Sequence, residues 1–172
     1  TNPWMRCSSQ PKKRSMLAIA QLYGIYPLKI RYTSIMNTLV GFREIPHTAD
    51  WELEAWAPDL TGLLEQAAQG MFAISGTRLQ PTERQARTLD LHALDAESLL
   101  VRFLSELLWL GQQDGLAFDT FWFSLEPGWR LHVELGGAPI ASQEKEIKAV
   151  TYHNLVIRRT ARGLAVNIVF DV

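Results

Sequence analysis

Two segments of the chain repeat their apolar residues with the period of an α-helix, and this pattern limits the folds that are open to it. Apolar residues recur three or four positions apart over residues 60–72 and again over residues 99–108. Each segment therefore predicts a helix with one apolar stripe, and each stripe needs another surface to cover it. Asp59 and Asp95 precede the two segments and are expected to cap the first free amides of the helices.

Much of the remaining sequence alternates apolar and polar residues with a period of two, as strands with one buried face do. The alternation predicts strands at residues 51–56, 88–93, 121–125, 129–135, 147–156 and 164–172. Pro127 and Gly128 suit the central positions of a type II turn, whereas Gly136 and Gly137 indicate a separate turn. Short turns cannot make parallel crossovers, so the closing strands are expected to be antiparallel. The pattern predicts a single α+β domain in which two amphipathic helices pack on a largely antiparallel sheet.

The charge of the chain is divided unevenly along its length. Residues 1–36 contain six basic residues and no acidic one, whereas the rest contains 11 basic residues and all 18 acidic ones. We expect residues 1–39 to be a basic leader and residues 40–172 to be the folded domain. The leader could be a targeting segment, or it could be an unstructured extension or translated sequence upstream of a real start at Met36. The acidic domain argues against tight binding to a nucleic-acid backbone, which needs clustered Lys and Arg.

Several common kinds of site are excluded by the sequence. The single cysteine, Cys7, rules out a disulfide framework and a cysteine-based zinc site. The chain has neither a Gly-x-Ser-x-Gly nucleophile elbow nor a phosphate-binding P-loop, and its four histidines lack a His-x-x-x-His spacing. No run of about 18 apolar residues occurs, so no membrane span is expected.

Two places remain as candidate sites. Asp50 directly precedes the first predicted strand, and Asp171 and Val172 close the last one. With a free α-carboxylate on Val172, the chain end would bring several anionic oxygens together. A hard cation such as Ca²⁺, which prefers about six to eight oxygen ligands, would relieve their repulsion. Each place also has a plain structural interpretation: Asp50 could bond its own backbone in a turn, and the chain end could be solvated and frayed.

Three separated motifs resemble those of the archease family and follow the same order. They are His-Thr-Ala-Asp at residues 47–50, Glu-Ile-Lys-Ala-Val-Thr-Tyr-His at residues 146–153, and the closing Val-Phe-Asp-Val at residues 169–172. The resemblance runs from about Phe42 to Val172 and leaves the leader without a counterpart. Trp51 departs from the family pattern, in which a smaller aliphatic residue is more usual.

The resemblance implies a cytoplasmic, non-catalytic accessory protein of the RtcB-type RNA-splicing ligase, which acts in tRNA splicing and RNA repair. Such proteins promote guanylylation of the ligase with GTP and allow it to turn over repeatedly. The resemblance further implies one metal ion, taken to be Ca²⁺, which is held by Asp50, Asp171 and Val172. It also links Lys148 to activation of the ligase. Direct tight binding to nucleic acid and association with a membrane are not expected.

The histidines within these motifs, His47 and His153, are candidates for orienting the metal ligands without binding the metal themselves. Two other functions remain open from the sequence. A metal-dependent hydrolase would use a carboxylate-held ion to activate water, with His47 or His153 as the general base. A general chaperone would instead present a broad exposed apolar patch and would not depend on Asp50.

Overall fold

The computed structural model describes residues 39–45 and 51–172 of the chain. Three sequence predictions lie outside the described residues: the basic leader apart from Leu39, and the site residues His47 and Asp50. The described part of the chain forms β1 (Gly41–Ile45), β2 (Trp51–Ala57), α1 (Leu60–Ile74), β3 (Arg78–Leu79), β4 (Gln85–His92), α2 (Ala96–Asp114), β5 (Leu116–Glu126), β6 (Arg130–Ser142), β7 (Ala149–Val150), β8 (Arg158–Thr160) and β9 (Gly163–Asp171).

Both predicted helices are confirmed, together with the caps that start them. The Asp59 carboxylate accepts a hydrogen bond of 2.8 Å from the Gly62 amide, and the Asp95 carboxylate accepts one of 2.7 Å from Ser98. The hydrogen bonds from Ser98 also hold the pKa of the Asp95 carboxyl below its usual value. The second helix ends at Gly115, whose φ of 65° is a left-handed conformation that glycine adopts without strain.

The strands form two antiparallel sheets, and the α+β class is confirmed. One sheet has the order β1-β2-β9-β7, with β8 also pairing with β9; in the other, β3, β4 and β5 all pair with β6. The first helix packs mainly on β2, the second packs on β5, β7 and β4, and the helices contact each other. Their apolar stripes meet the inner faces of the sheets in one core, where the Phe103 ring lies edge-on to those of Phe121 and Phe123.

The strand predicted over residues 147–156 is wrong in its length. Only Ala149–Val150 pairs with β9 there, and the chain does not rejoin that strand until Arg158. Between them the chain turns, with the Leu155 amide donating to the Tyr152 carbonyl oxygen and Asn154 at a φ of 51°. A left-handed residue interrupts the extended backbone, and the alternation of apolar residues does not reveal it.

The turn predicted at Gly136 and Gly137 is also wrong, because both glycines lie inside β6. Pairing with β5 shifts register between Phe118 and Thr120, beside these glycines. A Cβ atom on Gly137 would overlap the Ala117 carbonyl oxygen. The glycine therefore marks a close approach of two strands at a bulge rather than a reversal of the chain.

None of the helices in the described ranges is long and apolar enough to cross a bilayer.

Candidate functional site

The pairing of β2 with β9 brings the start of one strand to the end of the other. Trp51 lies opposite Phe170, and this register continues along the strands to Ala57 opposite Leu164. It is fixed by the inner face of the sheet, because a slip of one residue would turn the buried side chains of both strands toward solvent. On the other edge of β9, Ala149 lies opposite Asp171. The start of β2, the end of β9 and the residues around Lys148 thus meet at one end of the five-stranded sheet.

Lys148 is attached to the last two residues of the chain by two hydrogen bonds. Its backbone amide donates to the Asp171 carbonyl oxygen at 2.8 Å, and its side-chain ammonium donates to the main-chain oxygen of Val172 at 2.9 Å. Thr151 adds a second attachment, since both its amide and its hydroxyl donate to the Val169 carbonyl oxygen, at 3.0 and 2.9 Å. These bonds position the chain end, for which solvation and fraying was the plain structural interpretation.

The Asp171 carboxylate is exposed, and no hydrogen bond or ion pair engages it within the part of the chain that the structure describes. Together with the oxygen of Val172 it offers oxygen donors alone, the chemistry that a hard cation such as Ca²⁺ prefers. Across residues 39–45 and 51–172 no group of three His, Cys, Asp or Glu side chains could hold a metal ion. The third predicted ligand, Asp50, lies outside those ranges, so the predicted ligand set stays a prediction.

His153 lies in the turn that follows β7. Its ring Nε2 is 3.0 Å from the Asn154 side-chain nitrogen, and its backbone amide donates to the Thr151 hydroxyl at 3.3 Å. Its role at a metal site stays a prediction, as does that of His47, which lies outside the described residues.

Lys145 is a neighbour of this site that the sequence analysis missed. Its ammonium nitrogen lies 4.4 Å from the centre of the Trp51 ring, within the range of a cation–π contact. Its backbone amide donates to the Ser75 carbonyl oxygen at 3.2 Å, which ties the segment before Lys148 to the end of the first helix. The contact also shows how the unusual Trp51 is accommodated. The sequence shows only that a lysine lies three positions before Lys148, and this spacing does not identify Trp51 as its partner.

The outer face of the five-stranded sheet carries a second polar arrangement that was not predicted. Arg158 donates to the Asn167 side-chain oxygen at 2.9 Å, and the Asn167 amide donates to the Glu52 carboxylate at 2.6 Å. Farther along the same face, the Arg162 guanidinium carbon lies 4.5 Å from the centre of the Trp56 ring. These contacts join three neighbouring strands on a face that also bears Asp171.

The outer face of the other sheet has its own titratable pair. His132 Nδ1 and a carboxylate oxygen of Asp90 are 2.7 Å apart, on the paired strands β6 and β4. The hydrogen bond to Asp90 raises the pKa of His132 above its usual value. Desolvation opposes this effect, and the charges of Asp90, Glu134 and Glu126 add smaller upward contributions. This pair belongs to the four-stranded sheet and is not part of the arrangement at the chain end.

Comparison with known proteins gives one consistent family. The model of the Archease protein family matches residues 42–172. The archease of Methanosarcina barkeri is 33% identical over 144 residues, which cover 76% of this chain and 95% of the relative. The archease of Thermococcus gammatolerans is 30% identical over 124 residues, which cover 68% of this chain and 87% of the relative.

Solved structures agree with the sequence comparison. A crystal structure from Thermotoga maritima, described as an archease and a possible chaperone, superposes with a TM-score of 0.56 at 26% identity and covers 76% of this chain and 96% of its own. The solution structure of a Methanobacterium thermoautotrophicum protein gives a TM-score of 0.56 at 24% identity, covering 77% and 99%. The second likeness shows the fold alone.

Proposed function

The chain belongs to the archease family, and from that premise we propose that it is a non-catalytic accessory protein of an RtcB-type RNA-splicing ligase. In this proposal it acts in the cytoplasm in tRNA splicing, where it promotes guanylylation of the ligase with GTP and supports repeated rounds of RNA ligation. The ligase carries out the chemistry, and this chain supplies charges and donors at a contact surface.

The observation that carries the proposal is the attachment of Lys148 to the chain end. An exposed lysine is ordinarily solvated and mobile, whereas the Lys148 ammonium donates to the Val172 oxygen at 2.9 Å. An ammonium held in place is a compact positive charge that can pair with a phosphate group. We infer that Lys148 faces an anionic group of the ligase or its nucleotide during guanylylation.

A cation at the same end of the sheet is the second part of the proposal. Asp50 directly precedes Trp51, and Asp171 directly follows Phe170; Trp51 and Phe170 are paired across β2 and β9. Because consecutive Cα atoms are about 3.8 Å apart, this pairing supports a shared ion held by Asp50, Asp171 and an oxygen of the Val172 α-carboxylate other than the one that accepts from Lys148. A bound Ca²⁺ would supply a positive charge with coordination positions left for water or the ligase. His47 and His153 are proposed to orient groups around it.

The proposal is tested by a multiple-turnover ligation assay with the cognate ligase, GTP and Mn²⁺, in the presence and absence of this protein. We expect the protein to raise both the fraction of guanylylated ligase and the number of RNA molecules joined by each ligase. A matched control variant, Asp90→Asn, removes a carboxylate from the opposite sheet and should stimulate fully. Unchanged turnover would contradict the proposal. Hydrolysis of phosphoesters by the purified protein alone, with activity lost in Asp50→Ala, would favour a metal-dependent hydrolase instead.

A further inference from the structure

One stretch of the acidic domain, residues 40–172, contains only positive charge. Residues 147–170 include Lys148, Arg158, Arg159 and Arg162 and no Asp or Glu, although the whole chain has a formal net charge of −1. The stretch contains β7, β8 and most of β9, so the structure gathers the four cations on one sheet. We name the segment of residues 148–162 the basic edge.

The basic edge follows one side of β9. Because β2 pairs with β9 along residues 164–170, the strands β7 and β8 must both lie on the opposite side, near Asp171 and Leu164 respectively. Seven residues of extended strand separate these positions, a length of about 23 Å. Lys148 lies near one end of this length and the three arginines lie near the other, and cations at both ends suit an elongated anion better than a single small one.

None of the three arginines of the basic edge forms an ion pair in the described part of the chain, and the carboxylate that contacts this segment, that of Glu97, accepts from the Ile157 backbone amide. Arg158 donates to the neutral side chain of Asn167, and the Arg162 guanidinium lies over the neutral ring of Trp56. No ion pair involves either of them, or Arg159, among the residues that the structure describes. Neutral partners hold a guanidinium in position while leaving its charge to attract an anion.

Three arginines elsewhere in the molecule are neutralised by carboxylates. Arg43, Arg84 and Arg87 each form an ion pair with a carboxylate, those of Glu54, Asp119 and Asp114 respectively. The clustering of three arginines without ion pairs is the local property of the basic edge, since Arg78, Arg102 and Arg130, which also lack ion pairs in the described part of the chain, lie on three different elements. It marks this edge as the surface best suited to a polyanion.

We propose that the basic edge binds the sugar–phosphate backbone of single-stranded RNA. An exposed aromatic side chain, Tyr152, lies between Lys148 and the arginines and is 61% exposed, so a base can stack on it. Cations in line with an exposed aromatic ring are the usual combination in proteins that bind single strands without reading their sequence. The choice of RNA over DNA rests on the proposed function, whereas the contact with a sugar–phosphate backbone is argued from the cations of the basic edge alone. The acidic remainder of the protein keeps this binding weak and confines it to the edge.

The experiment is a titration of a short fluorescein-labelled single-stranded RNA with the purified protein, followed by fluorescence anisotropy over a series of salt concentrations. About four phosphate contacts predict a slope of log affinity against log salt near −3, at roughly −0.7 for each contact. The test variant combines three substitutions: Arg158→Gln, Arg159→Gln and Arg162→Gln. It should reduce the magnitude of the slope by about 2 and weaken binding on the order of a hundredfold at low salt.

Two further variants separate charge from structure. Replacing the same three arginines by lysine keeps the charge, so this variant should retain the salt slope even though the contacts with Asn167 and Trp56 change. The matched control removes the same charge from the other sheet, and its substitutions are Arg84→Gln, Arg87→Gln and Arg130→Gln. It should bind RNA with a slope close to that of the wild type.

Three results would overturn the inference. These are a wild-type protein that does not bind RNA at low salt, an equal loss of RNA binding in the control, or a glutamine variant that binds RNA as the wild type does. Because the titration contains no ligase, its failure is distinguishable from failure of the proposed function, which shows only in the ligation assay.

Discussion

The ammonium nitrogen of Lys148 donates a hydrogen bond of 2.9 Å to the main-chain oxygen of Val172, a residue 24 positions later in the chain. The backbone amide of Lys148 donates to the carbonyl oxygen of Asp171, the residue before Val172, at 2.8 Å. The lysine and the chain end therefore form one unit, so a change in either should alter how the other meets a partner.

Replacement of Lys148 by methionine should reduce stimulation of the ligase while leaving the fold intact. The side chain is exposed, so the free energy of unfolding should change by no more than about 0.5 kcal/mol. The measurement is the incorporation of labelled GMP into the ligase in the presence of Lys148→Met. Arg130→Met is the matched control, since it removes an equal charge from an exposed position on the other sheet. Full stimulation by Lys148→Met would contradict the role given to this ammonium.

Addition of a few residues after Val172 should weaken Ca²⁺ binding without changing any side chain of the sequence. The Val172 oxygens would then belong to a neutral peptide group, which attracts a divalent cation less than a carboxylate does. Calorimetric titration of Ca²⁺ into a chain that ends at Val172 and into the extended chain checks this expectation. Equal affinities would exclude a terminal carboxylate from the ligands.

The His132–Asp90 pair predicts a defined pH dependence. Asp90 raises the pKa of His132 in the folded state, so the pair stabilises the fold fully below the unfolded pKa of about 6.5 and loses this effect as pH rises through the folded pKa. In Asp90→Asn the NMR titration midpoint of the His132 ring should fall. The variant should be less stable than wild type near pH 5.5 and similar to it near pH 8.5, by urea unfolding. An unchanged midpoint would show that the pair does not form in solution.

Two adjacent glycines in β6 should differ sharply in their tolerance of alanine. A Cβ on Gly137 would overlap the Ala117 carbonyl oxygen, whereas the nearest atom to a Cβ on Gly136 is the Thr120 Cβ at 3.3 Å. Gly137→Ala should therefore lower the free energy of unfolding by about 1–3 kcal/mol, and Gly136→Ala by clearly less. Urea denaturation of the two variants measures the difference. Equal losses would contradict the close approach of β5 to β6.

The parts of the fold that the sequence could predict are those determined by neighbouring residues. The apolar stripes and the capping residues Asp59 and Asp95 act within a few positions, so both helices were found. The turn predicted at Gly137 was wrong because the glycine is required by the Ala117 carbonyl oxygen, which lies on another strand. The turn around Asn154 was missed because alternation does not report a left-handed residue.

The candidate site, too, could be predicted from the sequence only in part. Its motif residues were visible in the sequence, whereas the bond from Lys148 to Val172 and the contact of Lys145 with Trp51 depend on the pairing of distant strands. Charge counting found the acidic domain but not the basic edge, because the cations of that edge come together only when β7 and β8 line the same side of β9.

Whether carboxylates from the two ends of the domain share one cation is tested most directly by calorimetric titration of Ca²⁺ into the wild type, Asp50→Asn and Asp171→Asn. We expect one ion bound to each wild-type chain, and an affinity at least about tenfold lower in each variant, a loss of about 1.4 kcal/mol or more. Two ions bound to the wild type and one to each variant would show that the carboxylates act separately. That result, or an affinity unchanged in Asp50→Asn, would contradict a shared site.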